Sequence, residues 1–286
     1  MDIKSVGIVG SGLMGSGIAQ VAAQAGLDVV LVDVDDARLA MGVLGIKNRL
    51  ARLAERRQLT GEEVDSILAR ISTSTDWEGL NALRDVDAAI ECVAESLAVK
   101  SPVFKRLGTV CKPGALLSSN TSSLPLSDLA AASGRPERVV GLHFFNPPWV
   151  LKLVEVVTTA STTEETLQDG LALCAKLERV TVQVKDTPGF IANRLLVPFI
   201  FDAIHLLDSG VASAADIDNA CKVGLNHTMG PIATADLIGL DTLQLIAGSM
   251  FEEFGEPRFK PPTLLRRLVA LGHLGRKTGK GFYKYE

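Results

Sequence analysis

The stretch Val6-Gly7-Ile8-Val9-Gly10-Ser11-Gly12-Leu13-Met14-Gly15-Ser16-Gly17 lies near the start of the chain. It is followed by Asp28-Val29-Val30-Leu31-Val32, with Asp33 at the tip. Residues 6–9 read as a short buried strand. Residues 13–25 carry apolar side chains at helical spacing and stop at Gly26, a residue that ends helices well. A second apolar strand comes next. The three glycines in GxGxxG spacing have separate jobs. Gly10 permits a tight turn, Gly12 lets backbone approach a pyrophosphate, and Gly15 lets helix pack close to strand. The N–H groups of the first helical turn, around Leu13 and Met14, lack intrahelical partners and suit phosphate oxygens. Asp33 is placed to accept from a ribose 2′-hydroxyl and to repel a 2′-phosphate. The expected cofactor is therefore NAD rather than NADP. Arg38 is expected one helical turn further on, facing water.

At 286 residues the chain is long enough for two domains and a large core. A net charge of -4 argues against a surface for nucleic acid, and no nucleic-acid motif occurs. Cys92, Cys111, Cys174 and Cys221 form no CxxC pair and read as reduced, buried side chains. The four histidines are dispersed, so no metal-ligand spacing exists. No apolar run approaches the ~20 residues of a membrane span. The first strand begins close to Met1, which leaves no room for a leader, and a cytoplasmic enzyme is expected.

Residues 35–72 are rich in Ala, Leu, Arg and Glu. They predict a long helix to about residue 57 and a second opened by Thr60-Gly61-Glu62-Glu63, a capping-box pattern. No strand signal separates them, so they read as an inserted helical pair. Strands are expected at 87–94, 115–118, 139–145, 151–157 and 180–184, with helices at 97–111 and 167–177. This alternation implies an α/β, doubly wound, largely parallel sheet of the Rossmann type. The pattern changes near Asp186. Pro188 suits a first helical position, with Asp186 or Thr187 as its cap. Helical spacing dominates from Phe190 onward. The expected division is an NAD-binding domain over 1–185 and an all-α domain over 186–286. The second has many apolar faces for its size, which suits either a dimer interface or a compact core.

Four segments combine polar groups with apolar surroundings. Leu117-Ser118-Ser119-Asn120-Thr121-Ser122-Ser123 follows a strand, where ligands bind in open α/β sheets. The same run also reads as a turn capping the next helix. His143 sits late in an apolar strand beside Asn146-Pro147-Pro148. In 151–157, a period of two puts Leu151, Leu153, Glu155 and Val157 on one face. A carboxylate on an apolar face is expensive unless paired. Two strands joined by a proline turn can set Glu155 against His143, giving a general base with a fixed tautomer. Last, Asn193 in Gly189-Phe190-Ile191-Ala192-Asn193-Arg194 begins the second domain's first helix and offers amide donors.

Ser119–Ser123, His143–Pro147, Leu153–Val156, Gly189–Arg194 and Gly275-Arg276-Lys277-Thr278-Gly279-Lys280-Gly281-Phe282-Tyr283 follow in one order and spacing. Together they resemble the L-3-hydroxyacyl-CoA dehydrogenases, most closely the short bacterial 3-hydroxybutyryl-CoA dehydrogenases. The resemblance covers nearly the whole chain. It implies an NAD-binding Rossmann domain and an all-α domain that dimerises. It also implies a catalytic base at His143 with Glu155 as partner, and Ser122 and Asn193 on the substrate oxygens. Asn146 would lie against the nicotinamide region, Glu95 and Lys100 near the nicotinamide ribose and the acyl-CoA, and Lys277 at a further nucleotide contact. On the helical pair, Arg49 and Arg56 stand where the family turns a hydroxyl and a lysine toward CoA. The Pro147-Pro148-Trp149 turn departs from the family and is similar to that of sugar-acid dehydrogenases resembling lambda-crystallin. A free 3-hydroxy acid is thus the alternative substrate.

Overall fold

The computed structural model describes residues 1–285. The chain divides into two compact units, Met1–Asp186 and Thr187–Glu286.

The first unit is one eight-stranded sheet with helices. Its strands are β1 (Ser5–Val9), β2 (Asp28–Val32), β3 (Ile71–Ser74), β4 (Ala88–Glu91), β5 (Leu116–Ser119), β6 (Val139–Phe144), β7 (Leu153–Thr158) and β8 (Val180–Lys185). The order is β3-β2-β1-β4-β5-β6-β7-β8. Every neighbouring pair is parallel except β6–β7. The helices are α1 (Leu13–Gln24), α2 (Asp36–Glu55), α3 (Gly61–Ala69), α4 (Leu97–Val110), α5 (Leu126–Ser133) and α6 (Glu164–Lys176). Chain order reverses direction across the sheet between β1 and β4. Such a switch point opens a crevice at the carboxyl ends of the strands.

The apolar runs of β1, β2 and β4 explain the centre of the sheet. Val6, Ile8, Leu31, Ala88 and Ile90 are fully buried. Parallel strands covered by helices read as continuous apolar runs, and these do. One strand differs from expectation. β3 starts at the end of the 35–72 stretch, where no strand is expected, so α2 and α3 are the crossover from β2 to β3. Ile71-Ser72-Thr73-Ser74 is short, half-exposed and at the sheet's edge, where polar residues are tolerated. The capping box does form at α3: Thr60 accepts from the Glu63 N–H and Glu63 accepts from the Thr60 N–H.

The second unit is helical: α7 (Ala192–Asp208), α8 (Ala214–Asn219), α9 (Pro231–Ile238), α10 (Leu240–Phe254) and α11 (Thr263–Ala270). Val197, Ile200, Phe201 and Ile204 of α7 share a core with Ile232, Leu243 and Met250. Buried Asp236 fastens the glycine-rich tail. It accepts from the N–H groups of Phe282 and Tyr283 and from the Tyr285 hydroxyl. The start of α7 corrects the sequence reading. Gly189 and Phe190 take positive φ, 76° and 49°, so the helix begins at Ala192 rather than Pro188. Asp186 does not cap it. Its carboxylate instead accepts from the N–H groups of Leu126 and Ser127 and from the Ser127 hydroxyl, capping α5.

Candidate active site

Register sets a row of residues along the carboxyl edge of the sheet. Val9 stands beside Glu91, Glu91 beside Ser119, and Ser119 beside Gly141. His143 is two residues beyond Gly141 on β6. The Gly-rich turn, the 92–95 segment, the Ser119–Ser123 loop and His143 therefore leave the same edge of neighbouring strands.

The turn after β1 is built for close approach. Gly10 has φ 102°, and a Cβ at Gly15 would lie 1.8 Å from the Gly10 carbonyl oxygen. Above Gly12 there is only space: a Cβ there would meet nothing within 4 Å. Gly12 caps α1 without a side-chain hydrogen bond, which leaves first-turn N–H groups for phosphate oxygens. A cavity of about 340 Å³ adjoins this turn, lined by Ser11, Gly12, Leu13, Asp33, Arg38 and Arg49 among others. The donor set fits the ribose and pyrophosphate of a dinucleotide. Met14 is half-buried against the core, so its contribution there is its backbone. Asp33 is buried and already works. Its Oδ2 accepts from the Ser11 N–H and hydroxyl, each at 2.7 Å, and its Oδ1 from the Val34 N–H. A carboxylate has about four acceptor sites, so roughly one is left for a ribose hydroxyl. Arg38 is exposed as expected, but it lines this cavity while its Nε is drawn to Asp35 at 3.6 Å.

His143 and Glu155 are directly opposite in the antiparallel β6–β7 pair. Nδ1 of His143 lies 2.7 Å from Oε2 of Glu155. Glu155 is fully buried and His143 nearly so. A carboxylate only accepts, so Nδ1 carries the proton and Nε2 is the basic nitrogen of the neutral ring. Phe145 packs on the imidazole, 4.7 Å between centroids. Asn146, next along, is exposed.

The Ser-rich loop is fastened from two sides. Asn120 accepts from the Phe144 N–H at 2.8 Å, tying the loop to the strand that bears His143. Glu95 Oε1 accepts from the Thr121 hydroxyl and from the N–H groups of Ser122 and Ser123. Burial alone would raise the Glu95 carboxyl, but the Lys100 ammonium and these donors hold it below its usual value. The Ser122 hydroxyl makes no hydrogen bond among the described residues.

Lys100 differs from expectation. It is 1% exposed. Its three donors are committed to Glu91 Oε1 at 2.7 Å, the Val93 carbonyl at 3.2 Å and Glu95 Oε2 at 3.2 Å. It has no proton left for a cofactor or an acyl-CoA. Its place is beneath the loop, holding two carboxylates that shape it. Glu91, which sequence reading missed, completes this network by accepting from the Ser119 hydroxyl at 2.7 Å. The available signal was a carboxylate inside an apolar strand with a lysine nine residues on.

The remaining expected residues belong to the helical pair and to the second unit. Arg49 does not reach outward from the helical pair. Its Nε donates to Gln20 and its Nη2 to Ser16, and its guanidinium stacks on Trp149. Arg56, just past α2, is exposed and without an ion pair among the described residues. In the second unit, Asn193 is half-buried near the start of α7, and Lys277 pairs with Asp241 at 2.6 Å. Among the described residues no cluster could hold a metal, and no helix is long and apolar enough to cross a membrane.

Known proteins resemble this chain along its full length. Residues 5–187 match the family model "3-hydroxyacyl-CoA dehydrogenase, NAD binding domain", and residues 189–285 match "3-hydroxyacyl-CoA dehydrogenase, C-terminal domain". The "Probable 3-hydroxybutyryl-CoA dehydrogenase" of Bacillus subtilis is 46% identical over 100% of this chain and 99% of its own. The 3-hydroxybutyryl-CoA dehydrogenase of Mycobacterium tuberculosis is 45% identical over 99% of both. The crystal structure of (S)-3-hydroxybutyryl-CoA dehydrogenase from Ralstonia eutropha superposes with a TM-score of 0.93, at 41% identity and complete coverage of both chains. Matched across both units, the chain belongs to the 3-hydroxyacyl-CoA dehydrogenase family, whose first domain binds NAD.

Proposed function

We propose that this protein oxidises the hydroxyl of a short (S)-3-hydroxyacyl-CoA, such as 3-hydroxybutyryl-CoA, to the 3-oxo thioester, and catalyses the reverse reduction. The observation that carries this reading is the buried His143–Glu155 pair, at the same sheet edge as the Gly-rich turn and the Ser122 loop. Bound NAD would accept the hydride that leaves C3 of the substrate. His143 Nε2 takes the hydroxyl proton, and Glu155 stabilises the imidazolium that forms. Ser122 offers its uncommitted hydroxyl to the reacting oxygen, and Asn193 is assigned to the thioester carbonyl. Asn146, Glu95 and Lys277 are assigned to the nicotinamide half of the cofactor, Glu95 through the loop it shapes. Arg56, exposed just past α2, is assigned to CoA.

The alternative substrate, a free 3-hydroxy acid, rested on Trp149. That ring is engaged by Arg49, so its presence is explained without a sugar acid. Initial rates of NADH formation decide between them. With (S)-3-hydroxybutyryl-CoA, kcat/KM should exceed that for free (S)-3-hydroxybutyrate by roughly a hundredfold or more, because remote CoA binding contributes to the transition state. A preference for the free acid overturns the proposal.

We also propose a homodimer in the cytoplasm, formed through the second unit. Leu195, Val211, Val223, Leu225, Leu245 and Leu271 each leave more than half their surface exposed there. Exposed apolar surface on this scale suits a protein interface. Sedimentation velocity on the cytosolic protein should give a dimer, and a monomer at micromolar concentration rejects it.

A further inference from the structure

We infer that Arg49 and Trp149 link occupancy of the dinucleotide cavity to the position of the turn that follows His143. The inference rests on reading that cavity as the NAD site. Arg49 is a cation without an acidic partner. No carboxylate lies within 4 Å of it among the described residues, and its neighbours are the Gln20 amide, the Ser16 hydroxyl and the Trp149 ring, 4.2 Å from Cζ. It also lines the cavity beside Gly12 and Ser16. An anionic dinucleotide there would be the first countercharge this guanidinium meets. Burial already pulls its pKa below the usual value, so a nearby phosphate relieves a strained cation.

On its other side Arg49 touches the catalytic turn. Trp149 is three residues after Asn146 and six after His143. The turn rests directly on α1. A Cβ at Gly17 would lie 2.5 Å from Pro148 Cγ and 2.8 Å from Trp149 Cε3, so only glycine permits the contact. Arg179 holds the far side by donating to the carbonyls of Pro148 and Leu151. Ser16, Gly17 and Gln20 thus form one face of α1 that receives the turn and the guanidinium together. A shift of Arg49 toward a bound phosphate changes its stacking on Trp149, and Trp149 shares a rigid turn with Asn146. Arg49 is a positioning residue in this scheme.

The protein has two tryptophans, Trp77 and Trp149, so W77F makes Trp149 the only reporter. Titration of W77F with NAD, followed by tryptophan emission and by calorimetry, should give an emission change that saturates with the heat. In R49K on the same background, NAD should bind roughly tenfold more weakly and the emission change should vanish, since lysine keeps the charge but not the planar stack. In a separate pair with Trp77 intact, W149A should raise KM for NAD and lower kcat together, and W149F should restore both. Two results overturn the inference while leaving the cofactor site standing: heat of NAD binding with a silent Trp149, or R49K that binds NAD as tightly as its parent. Absence of any binding heat in the unsubstituted protein overturns the cofactor reading and this inference with it.

Discussion

Replacement of His143 by Ala should lower kcat for 3-hydroxybutyryl-CoA by roughly 10²–10⁴-fold, the usual worth of a positioned general base. NAD affinity measured by calorimetry should stay within about twofold, because His143 is not among the residues lining the dinucleotide cavity. The two readouts separate loss of chemistry from loss of fold. His143→Ala also removes the imidazole that lies 2.7 Å from Glu155, a fully buried carboxylate, so the variant should unfold more easily. His143→Asn meets that difficulty. Its amide can still donate to a carboxylate, but it cannot take a proton at neutral pH. It should therefore recover stability without recovering turnover. Glu155→Gln should cost less than His143→Ala, because the base survives while the imidazolium loses its stabilising charge. Near-normal turnover in His143→Asn rejects His143 as the base.

The parts of this molecule that sequence made legible share a property: their partners are close along the chain or on a repeating pattern. The GxGxxG turn carries its own geometry, since Gly10, Gly12 and Gly15 lie within six residues of one another. Contact between Glu155 and His143 could be read because two strands separated by a short turn allow few registers, and a lone carboxylate on an apolar face demands a partner. The same logic applied to Glu91, a carboxylate inside an apolar strand, would have exposed the Glu91–Lys100–Glu95 network. Asp186 illustrates what spacing hides. Its local sequence suggests a cap for the helix just after it, but its hydrogen bonds go to Leu126 and Ser127, about sixty residues back. β3 escaped for a different reason. An edge strand has one neighbour and one modestly buried face, so Ile71-Ser72-Thr73-Ser74 has no need of an apolar run. Side chains that reach across, such as Arg49 onto Trp149, depend on where α2 passes the turn, and no periodicity encodes that crossing.

The second large effect is on stability. Replacement of Lys100 by Met should cost about 3–5 kcal/mol, the range for removing one partner from a buried ion network. For a unit of this size that corresponds to a melting temperature lower by roughly 10 °C, measured by scanning calorimetry. Methionine matches the lysine stem in length, so packing around the aliphatic carbons survives and the loss is electrostatic. What it leaves is unfavourable: Glu91, fully buried, and Glu95, 3.2 Å from the missing ammonium. The pH dependence has a definite sign. Burial lowers the Lys100 pKa, but Glu91 and Glu95 outweigh it and raise the pKa above 10.5. Its stabilising charge is therefore complete at neutral pH and is lost only as pH rises through that folded value. In Lys100→Met, acid protonates the stranded carboxylates. The stability deficit against the parent should accordingly shrink as pH falls from 7 toward 4.5, the ordinary value for a glutamate, and Glu91→Gln added to Lys100→Met should recover part of it at pH 7. Because Glu95 fixes the N–H groups of Ser122 and Ser123, the same variant should raise KM for the acyl-CoA more than KM for NAD. A Lys100→Met protein that melts within about 2 °C of its parent would mean that the Glu91–Lys100–Glu95 network makes no net contribution to stability.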